Sequence, residues 1–90
     1  LRRFEVRYIK SSKLSRITLI YDYSAEEEIL RTFWKYDISV LKHEVESIEN
    51  TDGEETYTKI FDVSLPENLD IGELSSILSK INKIHNIEIE

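Results

Sequence analysis

Arg16 to Ile48, RITLIYDYSAEEEILRTFWKYDISVLKHEVESI, reads as strand, helix, strand, and the remainder of the chain completes what this stretch begins. From Arg16 to Tyr23, Ile17, Leu19, Tyr21 and Tyr23 alternate with Thr18, Ile20 and Asp22, the period-two pattern of a strand built from β-branched and aromatic residues. Ile20 on the second face predicts an inner strand. Ser24 with Glu27 three residues on has the pattern of a capping box, and Glu26, Glu27 and Glu28 suit the positive end of a helix. The helix is expected over 25–36, with Ile29, Leu30, Phe33 and Tyr36 as its buried stripe and Trp34 one step off it, covering the core edge. From Ile38 to Ile48 a strand returns. Its apolar phase slips from Ile38 and Val40 to Leu41 and Val45, which predicts a β-bulge.

Downstream, Asn50 to Gly53 reads as a hairpin turn, and residues 55–65 as a strand carrying Tyr57, Phe61, Val63 and Leu65 on one face with Lys59 interrupting them. Asp70 with Glu73 repeats the cap pattern before Ile71, Leu74, Ile77, Leu78 and Ile81, the cleanest amphipathic helix in the chain. Ile84, Ile87 and Ile89 supply a last strand. Upstream, Phe4, Val6 and Tyr8 alternate with Glu5 and Arg7 as an extra N-terminal strand, joined to the rest by KSSKLS. The order from Arg16 is β-α-β-β-α-β: an α+β, ferredoxin-like sandwich with a four-stranded antiparallel sheet, strand order 4-1-3-2, and both helices on one face. Residues 1–15 form a basic arm with the extra strand, and residues 16–90 the domain proper.

Ninety residues make one domain with one core and little room for a deep pocket. The lack of cysteine excludes disulfides and thiolate chemistry and fits a reducing compartment. A net charge of −6 opposes general affinity for nucleic acid, and no apolar run is long enough to span a bilayer. The chain has no methionine and opens directly on LRRFEVRYI without a leader, so it is expected to be a domain excised from a longer protein. Arg2, Arg3, Arg7, Lys10, Lys13 and Arg16 face only Glu5 in the first sixteen residues, leaving a positive arm on a negative body.

No catalytic constellation is legible. His43 and Glu44 point to opposite faces of a strand, and no second histidine stands at ligand spacing, so the histidines read as solvated or interface groups and no metal site is expected. Asp52, Glu54 and Glu55 lack the spacing of a calcium loop. With Gly53 and Gly72 as the two glycines, no phosphate-cradling loop can form. Tyr57, Lys59 and Phe61 on one strand have the form of a base-stacking platform, but core packing is the expected use of the rings in an acidic chain. Neither an enzyme nor a cofactor is expected.

ITLIYDYSAEEEILRTFWKYDISVLKHEVESI, with YTKIFDVSLP and LSSILSKINKIHNIEIE, resembles the ACT-like domains, and more narrowly the cytosolic C-terminal domain of MgtC/SapB-type membrane proteins. The resemblance is one of hydrophobic phasing over about three quarters of the chain, strongest where Ile81, Ile84, Ile87 and Ile89 run from the final helix into the final strand. It implies a soluble regulatory or interaction domain behind a bundle of membrane helices, in bacterial proteins associated with magnesium limitation, without catalytic residues. The Asp-x-Pro-Gly-like turn of amino-acid-binding ACT domains is replaced here by Asp22, Tyr23, Ser24 and Ala25. An amino-acid- or small-ligand-sensing module of a cytosolic enzyme is the alternative. A homodimer is expected, because the extra strand offers an edge that two copies can share. Arg2, Arg3, Arg7, Lys10 and Lys13 are either positive-inside residues beside a membrane, in contact with anionic headgroups, or solvated charges guarding an edge strand.

Overall fold

The computed structural model describes residues 12–90. Six elements follow one another: strand β1 (Ser12–Asp22), helix α1 (Glu26–Lys35) entered through a 3-10 turn at Tyr23–Ala25, strands β2 (Ser39–Thr51) and β3 (Glu54–Pro66), helix α2 (Ile71–Ser79) and strand β4 (Ile84–Ile89). All pairings are antiparallel and the sheet order is β2-β3-β1-β4, the 4-1-3-2 arrangement expected of a ferredoxin-like βαββαβ chain. The extra strand expected over Phe4 to Ile9 lies outside the described residues. β1 begins at Ser12, ahead of the alternating pattern that starts at Arg16, because the long β3 offers it partners there: Ser12 pairs with Pro66, Lys13 with Leu65, Leu14 with Ser64 and Ser15 with Val63.

One face of the sheet holds the core. Ile17, Leu19 and Tyr21 from β1 and Phe61, Val63 and Leu65 from β3 are buried beneath Ile29 and Phe33 of α1 and Leu74 and Leu78 of α2, with Phe33 edge-on to Phe61 at 5.4 Å. The apolar spacing of both helices is what turns those residues inward. Leu30 and Tyr36 belong to the expected stripe but are exposed, and Trp34 is 82% exposed instead of covering the core edge. The helix ends at Lys35 with Tyr36 at its C-cap, and Ile29 and Phe33, one turn apart, are the residues of α1 that face the sheet.

The two helix starts differ. At α2 the capping box forms: Asp70 accepts from the Glu73 amide at 2.8 Å, and Glu73 accepts from the Asp70 amide at 3.3 Å. At α1 the expected Ser24–Glu27 box is absent. Ser24 lies within the 3-10 turn, the cap position falls to Ala25 without a side-chain hydrogen bond, and Glu27 pairs with Arg31 one turn on. The end of α1 is closed by Asp37 at φ 58°, with Ile38 N–H donating to Phe33 O at 2.8 Å and Asp37 N–H to Trp34 O at 3.2 Å, which satisfies the last carbonyls.

β2 carries the expected bulge and a second one, with register shifts at Val40/Lys42 and Val45/Ser47. Asp52 and Gly53 both have positive φ, 53° and 83°, as the tight turn between twisted antiparallel strands requires. Unfolding in urea should show Asp70→Ala losing about 1 kcal/mol, the usual value of an N-cap. Ser24→Ala should lose well under half of that, since Ser24 caps nothing.

Candidate functional site

The polar side chains gather where β1 ends and α1 begins. Asp22 is the last residue of β1 and lies across from Thr56 on β3. Its Oδ1 accepts from His85 Nε2 at 2.8 Å and from Thr56 Oγ1 at 3.4 Å, while its backbone N–H donates to Lys83 O at 3.0 Å. Lys83 Nζ donates to Ser24 Oγ at 3.1 Å. The β1–β4 register shifts between Ile20 and Tyr21, and this irregularity brings His85 to Asp22. The His85 hydrogen bond, helped by the charges of His85 and Lys83, holds the Asp22 carboxyl below the ordinary carboxylate range against the opposing effect of burial.

Beneath this cluster lies a buried one. Lys59, 6% exposed, projects from the core face of β3 and donates to Glu26 Oε1 at 3.3 Å. Tyr21 OH donates to the same carboxylate oxygen. Burial first, and the hydrogen bond to Glu26 second, push the Tyr21 phenol well above the ordinary tyrosine range. Tyr57 is also raised, mainly by burial, and its ring stacks on Tyr23 with centroids 4.9 Å apart. Lys59 and Phe61 therefore serve the core, with Tyr57 half-buried at its margin, and the three form no exposed stacking platform on the bare face.

The acidic helix start divides its work accordingly: Glu26 turns inward to Lys59 and Glu27 pairs with Arg31. Of the basic arm, Arg2, Arg3, Arg7 and Lys10 lie outside the described residues. Lys13 is part of β1, and its Nζ donates to Leu69 O at 3.3 Å, tying the strand to the loop before α2. His43 is exposed on β2, at the opposite edge of the sheet from His85 on β4. No group of three or more His, Asp or Glu side chains among the described residues is placed to hold a metal ion. Depressions of about 470 Å³ and 450 Å³ lie at the start of β1, the first beside Leu41 and Asp62 and the second beside Leu69 and Ile71. Neither includes the Asp22 cluster.

The sequence marked Asp22 to Ala25 as the place of the ACT-type turn but did not connect it to His85, Thr56 or Lys83. Their sequence signal is no more than a polar residue at each strand end, and the irregularity that joins them has none.

These elements define an α+β sandwich of the ferredoxin-like class, with a polar cluster at the first strand's end. The fold is shared with the C-terminal domain of the MgtC protein from Mycobacterium tuberculosis, at a TM-score of 0.59 and 11% identity over 90% of this chain and 88% of that one. It is also similar to part of the full extracellular region of zebrafish Gpr126/Adgrg6, at a TM-score of 0.68 and 15% identity over 89% of this chain, which spans 13% of that one. No family model matches the sequence, and no curated protein matches it.

An NMR titration of the Asp22 carboxyl checks the electrostatics. Because its folded pKa lies below the ordinary 3.8, Asp22 contributes stability that is present above that value and is lost as pH falls through the folded pKa. His85→Ala should move the Asp22 midpoint up toward 3.8.

Proposed function

We propose that the chain is a non-enzymatic regulatory or interaction domain of an MgtC/SapB-type membrane protein, facing the cytoplasm. The observation that carries this reading is the two-way coverage: the likeness takes in nearly all of this chain and nearly all of the MgtC C-terminal domain. The polar groups at the end of β1 favour an interaction role over catalysis, since Asp22, His85, Lys83 and Ser24 are engaged with one another. No helix among the described residues is long and apolar enough to cross a membrane, and in this reading the anchor belongs to another part of the protein. The positive arm suits a position beside an anionic membrane surface.

A second reading, a ligand-sensing ACT module of a cytosolic enzyme, draws on the same cluster, because it stands where the resemblance places an effector. The sequence before Leu1 in the full-length protein, together with membrane fractionation, tests the first reading. A hydrophobic segment of about 20 residues shortly before Leu1 and recovery in the membrane fraction are expected. A soluble catalytic domain there would overturn it. Thermal-shift measurements with amino acids and magnesium test the second: a saturable shift with one amino acid, lost in Asp22→Ala, would favour the sensor.

A further inference from the structure

We propose that the open edge of β2 receives the N-terminal arm of a second copy of this chain, so that two copies exchange arms. This rests on the reading of the domain as an interaction module and names its partner. β2 is 13 residues long and has no strand on its outer side among the described residues. Its core-facing Val45 and Ile48 pair across from Lys59 and Tyr57 of β3 yet are 42% and 51% exposed, so the apolar face runs out uncovered at this edge. The other face carries Glu44 and Glu49, and no lysine or arginine occurs between His43 and Thr58.

The arm has the complementary pattern. Laid antiparallel to β2, Arg3 meets Glu49, Phe4 meets Ile48 and Glu5 meets Ser47. The bulge at Val45/Ser47 takes up Glu46, after which Val6 meets Val45 and Arg7 meets Glu44. Apolar residues then continue the apolar face and arginines oppose glutamates, the cross-strand pairs that stabilise a sheet edge. Without that bulge the register would bring Val6 onto Glu46 and break the match.

Reach decides which copy supplies the arm. In this register Ile9 lies beside Lys42, level with Asp62 and Arg16. Ser12 of the same chain is three strand spacings away, about 14 Å, and four residues lower, about 13 Å, so the direct path is about 19 Å. Three Cα steps from Ile9 to Ser12 span at most about 11 Å. The arm therefore comes from a partner, and reciprocal exchange closes a twofold dimer.

Sedimentation equilibrium of the full chain tests this. A dimer is expected, and Arg3→Glu with Arg7→Glu should weaken it by at least about tenfold. Adding Glu44→Arg and Glu49→Arg to that variant should restore it, while circular dichroism confirms that each variant is folded. A chain that stays monomeric at high concentration, a dimer indifferent to the arm charges, or a swap that fails to rescue would each overturn the exchange. None of these results bears on what precedes Leu1, so failure here is separable from failure of the membrane-protein reading.

Discussion

Lys59 stands on the core face of a central strand, and a buried ammonium is tolerated only with a partner. Glu26 supplies it from the first turn of α1, and Tyr21 of β1 donates to the same carboxylate. One oxygen thus joins β3, β1 and α1, three of the elements that build the core. Just before Glu26 the chain leaves β1 through a 3-10 turn, and Ser24 accepts from Lys83 instead of serving as a cap.

The sheet is consequently two-sided in character. The buried part of its helix-covered face is apolar apart from Lys59 and Ser15, whose hydroxyl donates to the Glu90 carbonyl at 2.8 Å. The bare face is held by polar pairs such as Arg16 with Asp62, 2.8 Å apart across β1 and β3. That contact lowers the Asp62 carboxyl, first through the hydrogen bond and then, against burial, through the charge of Arg16. β2 is the element least covered by this arrangement. Every residue from Leu41 to Thr51 is exposed, and its two bulges disrupt the regular edge that would otherwise invite indiscriminate pairing.

A fold of this class hosts many functions, so the likeness to the MgtC domain speaks first to architecture. What the chain adds is a distribution of charge and apolar surface. Its hydrogen-bonding groups at the end of β1 are matched internally, while the apolar margin of β2 and the exposed Leu30 and Trp34 of α1 face outward.

Element order, the α2 capping box, the hairpin at Asp52–Gly53 and the first β2 bulge were determined by the sequence itself, because each is marked by a pattern of residue types over neighbouring positions. Ile17, Leu19, Phe61, Val63, Leu74 and Leu78 were legible as core for the same reason: period two and period 3.6 mark a face before its partner is known. The tertiary structure alone decided the fate of Lys59, Glu26 and Ser24. Their sequence patterns allow a surface lysine, a helix-start acid and a cap, and the choice turns on long-range contacts, the Lys59–Glu26 ion pair and the Lys83–Ser24 hydrogen bond. The meeting of Asp22 with His85, 63 residues apart, was likewise decided by strand register and one irregularity, which short-range patterns do not encode.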